Sequence, residues 1–301
     1  MPPRAAVCLF GAPVRFAGRS DLTLHARNAR LTRLAVDSLQ QHVLAANPHV
    51  AFDVYWVGTA AAAPALLSEA LPARNGSEER VFRWVPRFRA VGWPARPASS
   101  SGMFLSIEAV MALRAASPRP VDHDLVLLAR LDAVWLSPLD LALEVAPGAV
   151  YMAHWCAAEA VVGDYDADGW QCAYLRSRPF ESVAPDFYFL GRTPVMARVF
   201  DALLVDYLGG AFAPTYAGSE NHKIVTGRLR NRSVVERRRL YHHFDIAVPR
   251  KGTFDPEQPN CTPRWIEPPA RDGRPLCDAE AMVCTCGWTP AWRGGAWPRV
   301  Q

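Results

Sequence analysis

The chain has 301 residues, of which 50% are apolar and 21% are charged, and this composition indicates a folded globular protein and excludes a disordered one. The net charge of +4 is small and no dense basic stripe occurs, which argues against nucleic-acid binding. Apolar runs stay below the roughly 18–20 residues of a membrane-spanning helix and no signal peptide is recognisable, so we predict a soluble, cytoplasmic protein.

Predicted strands and helices alternate along the first half of the sequence. Residues 5–10 predict a buried strand that Gly11 ends, and apolar residues at three- and four-residue steps between Leu31 and Val43 predict an amphipathic helix. The next predicted elements are a strand at 50–58, a weak helix and loop within 59–80, a short strand at 80–85, a loop at 89–102 and a helix marked by Met103, Ile107, Val110 and Met111.

The run DLVLLARLDAVWL at 124–136 predicts another buried strand, although it contains Arg130 and Asp132. Residues two apart on a strand share a face, and an unpartnered buried charge costs several kcal/mol. We therefore predict that the strand emerges at the rim of the sheet at this pair. The elements after it are a strand at 148–156, an irregular stretch at 157–182, a strand at 186–191, a helix with Thr193 as N-cap and Pro194 at its first position, and a helix opened by Ser219 and Glu220.

Strands alternating with helices predict an α/β protein with a Rossmann-type, mostly parallel central sheet flanked by helices. We assign residues 1–250 to this domain. Residues 251–301 contain eight prolines, four tryptophans and four cysteines, which predict an irregular C-terminal extension. Its cysteines lack paired C-x-x-C spacing, so zinc binding, disulfides and free thiols all remain open.

Open sheets of this type bind ligands at the carboxyl ends of their strands, near Gly11, Asp132 and His154 in this sequence. Neither a P-loop nor a G-x-G-x-x-G motif is present to hold phosphates. The charged pair then has two interpretations. Arg130 and Asp132 pair with each other, or Asp132 binds a divalent cation that bridges a diphosphate while Arg130 orders the carboxylate or contacts phosphate oxygens.

Five segments in this order resemble glycosyltransferases of the GT-A, nucleotide-diphospho-sugar transferase type: AVCLFGAPVRF, FDVYWVG, SGMFLSIEAV, DLVLLARLDAVWLSPL and DFYFLGRTPVM. The resemblance covers roughly residues 5–245, with Arg-x-Asp in place of the usual Asp-x-Asp. It implies a GT-A-like fold and a glycosyltransferase of the hexosyltransferase type. Such an enzyme moves a sugar from a nucleotide-sugar donor to a hydroxyl group of a glycan, a protein or a small molecule.

Carried over by position, the resemblance implies a metal site and a nucleotide site. Asp132 is the implied ligand of Mn²⁺ or Mg²⁺, and His154 and His222 are candidate further ligands or else structural histidines. The implied catalytic carboxylates are Asp186 and Glu220. The residues expected to contact the nucleotide are Gly11, Arg15, Asp53, Trp56 and Arg130. Four aromatic residues near the rim stack on a base or sugar, or fill the core: Tyr55, Trp56, Trp155 and Trp170.

One further motif and two further functions stay open. Residues 164–170, DYDADGW, match the first half of a calcium loop, but Leu175 stands where the bidentate Glu belongs. In the two alternative interpretations, this segment is a solvated acidic loop near the acceptor site, or its carboxylates help to bind the catalytic metal. The two functions left open beside a glycosyltransferase are a non-catalytic carbohydrate- or nucleotide-binding protein of the same fold and an interaction protein that works through its Cys-rich tail.

Overall fold

The computed structural model describes residues 2–11, 22–86, 99–117, 123–141, 145–154, 165–166, 169–170, 186–201, 203, 225–229, 232–241 and 246–248. The predicted C-terminal extension at 251–301 lies outside these residues. The predicted site residues Arg15, Glu220 and His222 lie outside them as well, and so does the side chain of His154.

The described strands are β1 (Arg4–Phe10), β2 (Ala51–Gly58), β3 (Arg80–Trp84), β4 (Leu125–Arg130), β5 (Val134–Trp135), β6 (Ala149–His154), β7 (Tyr165–Asp166), β8 (Gly169–Trp170), β9 (Tyr188–Arg192), β10 (Val235–Tyr241) and β11 (Ile246–Ala247). The described helices are α1 (Leu22–Leu39), α2 (Ala63–Ala70), α3 (Ser99–Ala115) and α4 (Thr193–Phe200), together with a π-helical segment (Gln40–Ala45) and a short helical stretch at 225–229. Among these helices, none is both long enough and apolar enough to cross a membrane.

Seven strands form a central sheet in the spatial order β10-β6-β9-β4-β1-β2-β3. Strand β1 pairs in parallel with β2 and β4, β2 with β3, and β6 with β10. Only β9, among the described strands of this sheet, runs antiparallel to its neighbours β4 and β6. The predicted mostly parallel α/β sheet is confirmed. Strands β1, β2, β4 and β6 end at one edge, the carboxyl edge, where β9 begins.

Both faces of the sheet are covered, as the nearly continuous apolar strands require. Alternate residues of β1 enter different cores, with Val7 on one face and Cys8 on the other. Side chains of α1, the π-helical segment and α2 pack on the first face. Helices α3 and α4 pack on the second face, together with Leu229 from the stretch 225–229. The sheet therefore lies between two apolar layers, and the polar groups described below lie at its carboxyl edge.

Strand β4 ends at Arg130, so the prediction of a single strand over 124–136 is wrong beyond this residue. Residues 131–132 form a turn in which the Leu131 N–H donates to the Phe10 carbonyl at 2.9 Å and the Ala133 N–H donates to the Arg130 carbonyl at 3.3 Å. Strand β5 then leaves the main sheet and pairs antiparallel with β11. The prediction that the strand emerges at the charged pair is confirmed.

A π-helical segment follows α1 and anchors the chain after β5. The Leu139 N–H donates to the His42 carbonyl at 2.9 Å. The buried Asn47 amide donates to the Leu139 carbonyl at 2.8 Å and accepts from the Leu141 N–H at 2.7 Å. Because these groups are buried, each bond satisfies backbone that would otherwise be left unpaired. These bonds therefore hold the chain that follows Asp132 and β5 against the π-helical segment and Asn47.

Smaller differences concern the ends of elements. Helix α4 begins at Thr193, with Arg192 at the N-cap position, so Thr193 is not the predicted cap. Its hydroxyl donates to the His123 carbonyl instead. Helix α3 begins at Ser99, inside the predicted loop. Within residues 164–170, which match the first half of a calcium loop, β7 and β8 pair antiparallel with Asp166 opposite Gly169.

Candidate functional site at the carboxyl edge of the sheet

The carboxyl edge begins with a fixed turn after β1. Gly11 follows the strand with a φ of +87°, in the left-handed region that favours glycine. Its N–H donates to the hydroxyl of Ser106, a buried residue of α3, at 2.8 Å. Phe10 is in register with Arg130 of β4, so the turn at Gly11 lies beside the charged residues. Ser106 was not among the predicted site residues, although a serine among the apolar positions of α3 was the available signal.

Arg130 joins two carboxylates that come from different parts of the chain. Its Nε and Nη2 donate to the two oxygens of Asp132 at 2.7 and 2.8 Å, which is a bidentate pair. Its Nη1 donates to Oδ2 of Asp186 at 2.9 Å, across 56 residues of sequence. Asp186 reaches this position because the Arg130 N–H donates to the Phe187 carbonyl at 3.0 Å, where β9 begins beside the end of β4. We call Arg130, Asp132 and Asp186 the carboxylate–arginine triad.

The triad is mostly shielded from water, with side-chain exposures of 16% for Arg130, 15% for Asp132 and 10% for Asp186. Burial acts to lower the pKa of Arg130, but the negative charges of Asp132 and Asp186 outweigh burial and raise that pKa above its ordinary value. Arg130 therefore stays charged. With two carboxylates and one guanidinium, the triad carries a formal charge of −1.

The charge and the remaining hydrogen-bonding capacity decide which ligand groups fit the triad. A guanidinium has five N–H donors. Three of those of Arg130 bind the two carboxylates, and the other two donate to no group in the described part of the chain. Ionised carboxylates accept only, and each oxygen has two lone pairs. A hydroxyl group both donates and accepts and brings no charge, so it fits this set. A phosphate is repelled by the net negative charge and needs positive groups from elsewhere.

The described residues do not fit a divalent cation. They contain no group of three or more His, Cys, Asp or Glu side chains placed to hold a metal ion. Both oxygens of Asp132 already accept from Arg130. Two like unit charges about 4 Å apart repel each other by about 4 kcal/mol at an effective dielectric constant of 20, and a divalent ion doubles this. An ion at Asp132 and the guanidinium of Arg130 therefore compete for the same carboxylate.

The aromatic residues at the end of β2 belong to the core. Trp56 and Tyr55 are each 0% exposed and lie on opposite faces of the sheet. The Tyr55 hydroxyl donates to Glu79 at 3.2 Å, a carboxylate that also accepts from Ser117. The predicted nucleotide contact of Trp56 is therefore corrected, because its ring exposes no face to a ligand. Of the two interpretations left open for Tyr55, its burial favours core filling. Trp155 lies outside the described residues.

Asp53 lies toward the amino ends of the strands, in register with Ala6, and not at the carboxyl edge. Its carboxylate accepts from Nε and Nη2 of Arg4 at 2.8 and 2.9 Å and from the Glu79 N–H at 2.6 Å, and Nε2 of His123 lies 2.9 Å away. Burial acts to raise the pKa of Asp53, but bonds to His123, Arg4 and the Glu79 N–H lower it to about 2. We therefore assign Asp53 to a structural network instead of the predicted nucleotide contact.

The structure brings Gly11, Arg130, Asp132 and Asp186 to one edge and places His154 at the end of β6 on that edge. Asp186 is the predicted catalytic carboxylate in the described part of the chain. Its bond to Arg130 was not predicted, since the two residues are far apart in sequence and no pattern links them. The predicted Arg15, Glu220 and His222 lie outside the described residues.

Comparisons with known proteins find similarities in fold. No model of a known family and no curated protein matches the sequence. The fold is similar to a crystal structure from Desulfovibrio desulfuricans G20, named "putative nucleotide-diphospho-sugar transferase", with a TM-score of 0.40 and 10% identity over 80% of this chain and 81% of that chain. A similarity at this level establishes neither a family nor an activity for the chain.

Proposed function

We propose that the protein is a glycosyltransferase that moves a sugar from a nucleotide-diphosphate sugar to a hydroxyl acceptor. The observation that carries this proposal is the carboxylate–arginine triad at the carboxyl edge of a mostly parallel sheet, the edge at which open α/β sheets bind ligands. The triad has the charge and hydrogen-bonding groups that suit sugar hydroxyls. The resemblance of the sequence segments to GT-A-type enzymes agrees with this assignment.

The triad residues have separate roles in the proposed reaction. Asp186 is the proposed base, and Asp132 accepts hydrogen bonds from hydroxyl groups of the sugar or the acceptor. Arg130 holds both carboxylates in place and offers its two remaining N–H groups to oxygen atoms of the ligand. Arg15 and the turn at Gly11 are the proposed contacts of the diphosphate, because the triad itself repels it.

The proposed reaction is a displacement at the anomeric carbon of the donor sugar. The acceptor oxygen forms a bond to this carbon while the bond between the carbon and the diphosphate oxygen breaks. The proton of the acceptor hydroxyl goes to Asp186, and the leaving nucleoside diphosphate takes the bonding electron pair. Positive groups near the diphosphate stabilise the charge that develops there.

The proposal is tested by turnover of a panel of UDP- and GDP-sugars, with released nucleoside diphosphate as the measured product. We expect one donor to be hydrolysed or transferred, and we expect Asp186→Asn to lower kcat by about 10²- to 10⁴-fold, the usual effect of a positioned base. Asp37→Asn is the matched control, since Asp37 is an exposed carboxylate of α1 that pairs with Arg33. The proposal fails if no donor turns over and neither UDP nor GDP raises the melting temperature.

A non-catalytic carbohydrate- or nucleotide-binding protein is the second candidate. The observation that favours it is that Arg130 already occupies both oxygens of Asp132. A binding protein retains its ligand when Asp132 is replaced by Ala and shows no turnover with any donor. An enzyme instead loses turnover by several orders of magnitude in the same variant.

A further inference from the structure

The two carboxylates at the carboxyl edge already have a cation, and that cation belongs to the chain. Arg130 binds both oxygens of Asp132 and one oxygen of Asp186 at distances between 2.7 and 2.9 Å. All three side chains are largely shielded from water, where charge-assisted hydrogen bonds are short and strong. A metal ion therefore reaches the pair of carboxylates only if Arg130 is displaced.

We infer that the guanidinium of Arg130 takes the place of a divalent cation at this edge, so that ligand binding there needs neither Mn²⁺ nor Mg²⁺. The inference rests on the proposed function for the identity of the ligand. The exclusion of the cation rests on the bonds of Arg130 to Asp132 and Asp186 and is tested without any ligand.

The charges of the triad identify Arg130 as the group that excludes a divalent cation. Without the guanidinium, Asp132 and Asp186 are two carboxylates at one edge with a charge of −2, which is the kind of oxygen site that divalent ions prefer. With it, the same oxygens already accept strong hydrogen bonds, and a fixed positive charge stands beside them. Arg130 is therefore the group whose removal creates a metal site, and the carboxylates are the groups whose removal abolishes that site.

The experiment measures Mn²⁺ binding by electron paramagnetic resonance in the full-length protein without nucleotide. We expect wild type and Asp132→Asn to bind the same amount of Mn²⁺, because Asp132 holds none in wild type. We expect Arg130→Met to bind one additional ion per chain and the double variant Arg130→Met, Asp132→Asn to lose it again. Methionine is chosen because its unbranched side chain fills part of the space without adding charge.

Two outcomes overturn the inference. Wild-type protein that binds one Mn²⁺ more than Asp132→Asn holds the ion beside Arg130, which contradicts the exclusion. A folded Arg130→Met variant that gains no ion shows that the guanidinium is not what excludes it. If Arg130→Met does not fold, the comparison of wild type with Asp132→Asn, which keeps the size of the side chain, decides alone.

A second measurement connects the inference to the ligand. Binding of UDP and GDP is measured by calorimetry in EDTA and in Mn²⁺, and we expect Kd values that agree within about threefold. A Kd that is tenfold lower in Mn²⁺, with the difference lost in Asp132→Asn, overturns the inference and leaves the proposed function intact. If neither nucleotide binds in either buffer and no donor turns over, the proposed function fails, and the Mn²⁺ titration still decides the exclusion of the cation.

Discussion

The network around Asp53 gives the sharpest test of how this chain stabilises its sheet. Asp53 is 0% exposed and accepts two bonds from Arg4 and one from the Glu79 N–H, and Nε2 of His123 lies 2.9 Å from its Oδ2. Asp53→Asn keeps the size of the side chain but removes its charge and replaces one acceptor oxygen by a donor. Removing one partner of a buried ion pair costs about 3–5 kcal/mol, which is the loss in unfolding free energy we expect at pH 7.

Part of this loss depends on pH, and its sign follows from the pKa. The pKa of Asp53 falls from the usual 3.8 to about 2 on folding, which corresponds to about 2 kcal/mol of stability. Because the folded-state pKa is the lower one, this contribution is fully present well above pH 3.8 and is lost as the pH falls toward 2. By pH 3 about 1 kcal/mol of it is gone. The gap between wild type and Asp53→Asn therefore narrows by that amount between pH 5 and pH 3.

The assay is urea denaturation followed by circular dichroism at pH 7, 5 and 3. Asp37→Asn is the control, because Asp37 pairs with Arg33 at the surface, is 48% exposed, and contributes about 0.3–0.5 kcal/mol. A loss below about 1 kcal/mol for Asp53→Asn at pH 7 refutes the structural role of this network. A gap that stays constant from pH 5 to pH 3 refutes the lowered pKa.

Three further substitutions test other parts of the fold by the same urea assay. Gly58→Ala places a β-carbon 2.3 Å from Cζ2 of Trp56, so we expect a loss of about 1–3 kcal/mol, while Gly76→Ala, whose β-carbon meets nothing within 4 Å, is the neutral control. Asn47→Ala leaves buried backbone groups without partners, and we expect a loss of about 2–3 kcal/mol; less than 1 kcal/mol contradicts its anchoring role. Glu78→Gln removes a buried charge that two arginines share, and we expect a loss of about 3–5 kcal/mol; an unchanged midpoint contradicts this.

The central strands were predictable because most of their residues are apolar. The runs that became β1, β2 and β4 indicate burial on both faces, and the structure confirms a covered, mostly parallel sheet. Strand β10 was not predicted, since its sequence VERRRLY is mostly charged and it forms only by pairing with β6 at the end of the sheet. The π-helical segment was also missed, because a shift in backbone hydrogen bonding leaves no trace in the apolar pattern.

The candidate site was predictable only in part. Arg130 and Asp132 stand out because charge within an apolar run needs an explanation, and the strand does end there. The pattern did not distinguish a core tryptophan from an exposed one, because apolar residues occupy both faces of a doubly covered strand, and Trp56 proved to be buried. The true partners of Asp53 lie 49 and 70 residues away, so no local pattern reveals them.

The order of synthesis on the ribosome matters here, because β4 and β5 acquire their partners at the candidate site from segments that are synthesised later. Strands β1 to β4 are synthesised early, whereas Asp186, which completes the triad, comes later, and β11, which pairs with β5 behind Asp132, comes later still. Contacts between distant segments form slowly because their loops must close first. A nascent chain that ends before residue 186 therefore lacks both the third member of the triad and β9, the strand that joins β4 to β6 in the sheet.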